Sequence, residues 1–504
     1  MDPTTALKAI GRAFRRRPSD LLPFYLLEAA VPAMVQVGSV LGLALAYAYL
    51  ELTGRMETIR EILHEEEFEP PPEDEEDAEA VLVWFEDLLE LLELAFPPTV
   101  LAILGATFLL AVVASLVLYA LVSAAQLGAC HARLREDRGL IGGIGTVRQH
   151  WLPFVGLHVL EAIVQLVVFL AGLSVVVAAG LVDPALGLLA FLVVLPFWTI
   201  IFLLVRAVMA FAPVAVVVDD VGIIGSLTAT FGFLRREPLA AVVYYAFAIV
   251  LVVGLGVGAA AFSLVGADAL IALVGLLAIY PILDLFKTAL YGGSRDSVSM
   301  PPPAEVRLRD QFFGGLKRGW SEMTGFVRRT PGLHALAVGL LAGGFIVGWF
   351  GAGPYVGAVE TAIADRIEGL IPPAAALMFF GHNWTVAISM AYAGVAFAVP
   401  SLVMLLYNGL AFGAVFRLEA ELPQLIAFVV PHGLFEIPAL FVAGALGIYL
   451  GIVSWRTWRG RLDREALADE LERAFWVLVG VGMLLAVAGF IEGFFSPYYW
   501  RPFL

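Results

Sequence analysis

His432 and Glu436 stand four residues apart in the apolar stretch PHGLFEIPA (431–439), bracketed by Pro431 and Pro438. Four residues is about one helical turn, so on a helix the imidazole and the carboxylate share a face. Ionisable side chains are costly in hydrocarbon and persist where they face protein or a wet cavity. Such a pair can relay a proton, hold a cation, bind a small polar ligand, or simply bond neighbouring helices together.

Three more polar residues lie in apolar surroundings on the same side of the chain: Asn383, Asn408 and Glu492. Cross-helix hydrogen bonds contribute about 0.6–2 kcal/mol each, and five such residues, two of them carboxylates, exceed what packing needs. A ligand-binding cluster and a purely structural one both remain open. The small-residue run AGALGIYLG (443–451) allows the close helix approach that would gather these groups. A second set of intramembrane charges lies earlier: Glu28, Glu161, Arg206, Asp284 and Lys287. Asp284 and Lys287 are one turn apart and should pair. Glu28 and Glu161 follow the entry prolines of two spans and either face a seam between repeats or make local polar contacts.

Catalysis finds little support. Intramembrane zinc proteases use a histidine pair with a glutamate between them, because metal needs several ligands and water needs a base. Here one His and one Glu share the helix, and His382 or Glu492 would have to complete the set. The seven histidines show no zinc-ligand spacing, and Cys130 is the only cysteine. No GxSxG elbow or GxxxxGK[ST] loop occurs. No catalytic residue, metal or cofactor is expected.

The elements that position these residues must be membrane helices. Hydrophobic residues make up 61% and charged residues 15% of 504, against about half and a quarter in soluble domains. Apolar runs fall at 21–50, 97–127, 154–181, 186–217, 239–265, 270–290, 333–350, 384–399, 402–416, 425–453 and 475–495. The first is too long for a signal core, so no cleavable secretory signal is expected. Arginine-rich pieces at the N-terminus, 133–148, 235–236, 295–329 and 456–464 can all be cytoplasmic together. The acidic segment 51–94 and the loop 351–380 then lie outside. The expectation is an all-α polytopic transmembrane bundle in the cell membrane, with about eleven spans, the N-terminus cytoplasmic and the C-terminus extracellular. The pair 384–399 and 402–416 is short for a bilayer that needs about twenty residues, and reads either as two tilted helices or as an interrupted, re-entrant pair.

Four spans share an entry signal of basic residues, proline and hydrocarbon: AFRRRPSDLLPF, TVRQHWLPF, FLRREPLA and FVRRTPGL. A repeated unit of interfacial amphipathic helix plus transmembrane hairpin would explain the order. The proline-rich linker 294–305 divides a six-span domain, 1–293, from a five-span domain, 306–504. The net charge of −15, with lysine only at positions 8, 287 and 317, suits a salt-adapted chain of haloarchaeal type and argues against nucleic acid as a partner.

The rear domain, roughly 310–500, resembles the stage II sporulation protein M family of integral membrane proteins. The resemblance rests on GHNWTVA (381–387), YNGLAFGAVF (407–416), PHGLFEIPALFVAGALGIYLG (431–451) and AGFIEGFFSP (488–497). It implies Asn383, Asn408, His432, Glu436 and Glu492 as the family's intramembrane polar positions, and a non-enzymatic membrane anchor for an envelope complex. The front domain is loosely similar, through 211–238, to six-span membrane domains associated with glycerophosphodiester phosphodiesterases, without their catalytic domain. The expected function is therefore membrane or envelope organisation, with a permease using the polar centre as the alternative. Expected partners are the lipid bilayer and membrane or envelope proteins of unknown identity, and the composition also allows a homo-oligomer.

Overall fold

Proline and capping carboxylates set most helix starts. In the computed structural model, which describes residues 2–64, 78–264, 266–357, 359 and 361–501, α1 (Pro3–Arg16) begins where Asp2 accepts the Thr4 and Thr5 amides. A short 3-10 turn leads into α2 (Pro23–Leu52), followed by α3 (Arg55–His64) and α4 (Ala78–Ala95). Most of the acidic run between α3 and α4 lies outside the described residues. Long helices follow: α5 (Pro98–Leu134), α6 (Gly139–Val182) and α7 (Pro184–Asp219). Then come α8 (Ile223–Arg236), α9 (Pro238–Ser263), α10 (Asp268–Val274) and α11 (Tyr280–Gly293), the last two joined by a single π turn. The rear half comprises α12 (Leu308–Arg329), α13 (Pro331–Gly351), α14 (Ile363–Ile367), α15 (Pro372–Ala393), α16 (Val399–Leu418), α17 (Leu422–Trp458) and α18 (Arg464–Phe494).

Ten of these helices, counting α10 and α11 as one, are long and apolar enough to cross a bilayer. The chain is an all-α, multi-pass membrane protein. The stretch expected as a span at 384–399 is organised differently. Its helix, α15, starts twelve residues earlier at Pro372 and stops at Ala393, because the chain turns through 394–398 with Phe397 and Ala398 in the left-handed region. The His-Asn pair near its middle lowers its apolarity. At 22 residues it nevertheless packs against α2, α17 and α18 along its length. Positions 384–416 thus belong to a longer hairpin, 372–418, of two helices of 22 and 20 residues, α15 and α16.

Three of the four entry signals form an amphipathic helix, a break and a span: α1 to α2, α8 to α9, and α12 to α13. The second does not. Pro153 lies inside the 44-residue α6, which runs through unbroken. Ahead of the proline α6 lies close against its neighbours, with Gly128 of α5 against Thr146 and Gly142, and Gly142 and Gly143 against Ala132, Phe24 and the Ala125 carbonyl.

The rear bundle is built on the same device. Gly344 and Gly348 of α13 face the Leu406 and Leu410 carbonyls of α16, while Gly409 and Gly413 face the Leu341 and Phe345 carbonyls of α13. A Cβ at any of the four would collide with backbone, so this reciprocal small-residue pair fixes the crossing. The run 443–451 on α17 does similar work at a deeper level, with Gly444, Gly447 and Gly451 against Leu405, Ser401 and Ala398.

One buried core runs through both halves, from Leu26, Ala30 and Ala33 on α2 to Ala387, Met390 and Ala391 on α15. Ser389 Oγ donates to the Ala29 carbonyl across that seam at 3.1 Å. The arginine-rich segments gather at one pole. There Arg138 meets Asp469 at 2.6 Å, Ser19 donates to Glu472 at 3.0 Å, and Gln311 donates to the Arg15 carbonyl at 3.2 Å. Buried Asp20 accepts the amides of Gly139 and Leu140 at 2.8 and 3.1 Å, capping α6 from a distant part of the chain, and lies 3.7 Å from Arg133. At the opposite pole a second, small core joins Ile363, Ile367, Leu425, Phe428 and Trp500.

Candidate functional site

His432 lies ten residues along α17 and Asn383 eleven along α15, while Asn408 precedes the end of α16 by ten. At 1.5 Å per residue all three sit about 15 Å along their helices from the same end of the bundle, and so at a similar depth within it. Glu492 reaches this depth differently. It occupies the last turn of α18, which stops short of the pole. Residues 495–501 then turn back toward it and carry Trp500 into the second core.

His432, Glu436 and Glu492 converge, with one ligand-type atom from each lying within 4.8 Å of the others. The His432 Nε2 atom is 4.0 Å from Glu436 Oε2 and 3.8 Å from Glu492 Oε1. These separations are too long for hydrogen bonds. On the other side of the ring, Nδ1 lies 3.0 Å from Ser496 Oγ. With Nδ1 donating to that hydroxyl, Nε2 presents its lone pair to the two carboxylates. Glu436 Oε2 and Glu492 Oε2 are buried without any hydrogen-bond partner. The Phe428 ring stands edge-on to the imidazole, 5.2 Å between centroids, and seals the outer side.

A cavity of about 100 Å³ opens beside Glu436, lined by Asn383, Asn408, His382, Phe412, Leu440 and Leu485 among others. The Asn408 amide donates to the Met404 carbonyl at 2.8 Å, which orients its Oδ1 away from its own helix backbone. His382 is in mid-helix on α15 rather than near a span end, and its side chain is exposed. All five polar residues singled out in the rear half thus surround one small centre. Three of them form its anionic corner and two asparagines form its cavity wall.

The front-half charges do not join it. Gln126 donates to Glu28 at 2.6 Å. Asp284 pairs with Lys287 at 2.7 Å and accepts the Tyr25 hydroxyl at 2.9 Å. Glu161 pairs with Arg206 at 2.7 Å on the outward side of α6 and α7. Glu28 and Glu161 therefore occupy unlike surroundings, one facing a glutamine within the core and the other an arginine whose side chain is 60% exposed. Each front-half charge has its own partner, and none is left over for a shared site.

Ser496 is the participant that the sequence pattern did not single out. Its only advance signal is the Ser-Pro pair directly after the final apolar run.

No curated protein and no solved structure matches the chain. The family described as Stage II sporulation protein M matches residues 337–497, a stretch from within α13 to the turn after α18 that contains the whole polar centre, and the likeness is to this rear part of the chain.

Proposed function

We propose that the chain is a non-enzymatic membrane protein that anchors or organises a membrane or envelope complex. Its basic pole, bearing α1, α8 and α12, would lie in the cytoplasm of a cell-membrane protein, with the opposite pole outside. One observation carries this reading: the seam between the two halves is closed at membrane depth and again at the basic pole. An alternating-access carrier needs one bundle to rock against another. Here the core is continuous from α2 to α15, and Arg138, Ser19 and Gln311 tie the pole across the same seam. A fixed frame displaying basic, amphipathic helices suits an anchor. The likeness of residues 337–497 to a family named for sporulation agrees with an envelope role.

The test is affinity purification of the full chain from native membranes after mild cross-linking, with the co-purifying proteins identified and their stoichiometry measured. The expected result is a fixed membrane or envelope partner retained by Glu436→Gln and lost when Arg15, Arg16 and Arg17 are reversed in charge. Recovery of the chain alone would sink the reading.

The cavity beside Glu436 favours a second reading, a permease. Its volume of about 100 Å³ holds only a few waters, at about 30 Å³ each, so its cargo would be no larger than an ion. A folded Glu436→Gln protein that loses flux in reconstituted vesicles would support it.

A further inference from the structure

Two carboxylates and an imidazole nitrogen meet at the centre of the rear bundle. Among the described residues, neither Glu436 nor Glu492 pairs with a lysine or arginine, and the basic side chain nearest both is His432. The Glu492 side chain is 9% exposed and that of His432 is 6% exposed. One oxygen of each carboxylate is buried and unpartnered. Lone pairs converging in a low-dielectric interior repel each other unless something positive lies between them.

We infer that His432, Glu436 and Glu492 form a binding site for one divalent transition-metal ion of the Zn²⁺ class. The inference goes beyond the anchoring role, which does not depend on an ion.

The donor set decides the class. One imidazole nitrogen and two carboxylate oxygens suit Zn²⁺ and its neighbours better than Ca²⁺ or Mg²⁺, which prefer all-oxygen shells. Charge decides the valence. Two carboxylates with a neutral imidazole carry −2, so a divalent ion leaves the centre neutral within the bilayer, while a monovalent one leaves a net charge there. The spacing is close to what an ion requires. Donors about 2.0–2.1 Å from a tetrahedral ion stand roughly 3.4 Å apart, and the observed separations of 3.8, 4.0 and at most 4.8 Å need only small side-chain movements to close. The imidazole is already oriented, since Ser496 Oγ occupies its Nδ1 side and Nε2 faces both carboxylates. Three protein donors leave a fourth position, and the cavity against Glu436 gives a water room to fill it.

The sequence places two donors on one helix and offers His382 or Glu492 as the third. The third donor comes from the last turn of α18, sixty residues after His432, and only the fold brings it in.

The experiment uses the full chain in nanodiscs, prepared without chelator and dialysed against micromolar Zn²⁺ or Co²⁺. Metal per chain is measured by mass spectrometry. The expected result is about one ion per chain, falling roughly tenfold or more in His432→Ala or Glu492→Gln and unchanged in Glu161→Gln, whose ion pair lies elsewhere. A His432→Cys chain loaded with Co²⁺ should gain a sulfur-to-cobalt charge-transfer band, which a merely structural role for His432 would not produce. Should His432→Ala not fold, the wild-type Co²⁺ spectrum decides, since a bound ion must show intense visible bands of a low-coordinate nitrogen and oxygen site. Folded wild-type chain that stays below about a tenth of an ion after dialysis overturns the proposal, leaving the carboxylates to hold protons. So does undiminished binding in the His432 and Glu492 variants, which would mean surface metal only.

Discussion

His432 Nδ1 and Ser496 Oγ lie 3.0 Å apart, joining the interior of α17 to the turn that follows α18. The contact fixes the ring from behind and at the same time holds residues 495–501 against the pole, where Tyr499 donates to the Ala427 carbonyl at 2.6 Å. Ser496→Ala should cost about 1 kcal/mol. The measurable outcome is a lower unfolding temperature in detergent, with faster protease cleavage after Phe494. An unchanged cleavage rate would mean that Trp500 and Tyr499 hold the turn without the serine.

The α13–α16 crossing gives a prediction with an internal control. Gly348→Leu and Gly413→Leu place side chains where backbone already stands, and each should destabilise by about 1–3 kcal/mol or more. Gly339→Leu and Gly343→Leu, on the same helix but facing open space, should be close to neutral. Thermal unfolding of the four variants separates the cases, and equal effects would refute the role of the small-residue pair in fixing the crossing.

In the front half, Asp284 is held from two sides by Lys287 and Tyr25. Tyr25→Phe removes one donor from a carboxylate within the core and should cost about 1–3 kcal/mol. Lys287→Met leaves the charge unpaired and should cost more, about 3–5 kcal/mol. The Asp284→Asn background should shrink both penalties, a coupling that a double-mutant cycle reads directly.

Asp20 sets a pH dependence outside the membrane. Burial raises its carboxyl above the ordinary value of 3.8, against the opposing pull of the Gly139 and Leu140 amides and of Arg133. A raised folded value means that protonation favours the folded state. Its contribution is complete below 3.8 and is lost as pH rises through the folded value. Wild-type stability, measured relative to Asp20→Asn, should therefore fall as pH climbs from 3.8 through that value. A rise over this window would show that the amides and Arg133 outweigh burial.

Much of this architecture was readable from the residues because hydrocarbon imposes one rule, that the backbone must satisfy itself within helices. Ten of the apolar runs became helices able to cross. The limits of α15 were hidden because its middle, GHNWT, looks like the edge of a span, whereas Asn383 lines a cavity and Trp384 donates to the Leu478 carbonyl of α18. Pro153 misled in the opposite sense. Proline marks a break where nothing else holds the chain, but α6 lies close against α5 ahead of Pro153 and runs through it unbroken. The His432–Glu436 pair was legible from spacing alone. Glu492 was grouped with it through the family resemblance, whereas Ser496 was not, because no local pattern reports which helix ends at which depth.

The early stop of α18 also bears on how the molecule is made. Spans enter the bilayer in chain order, so α17 carries an imidazole and a carboxylate into lipid before the residues that will face them have been synthesised. Until the following helix arrives, that half-built centre has only water, an insertion factor or a neighbouring span to shelter it. Biogenesis of this bundle should therefore be most sensitive to delay between its last two crossings.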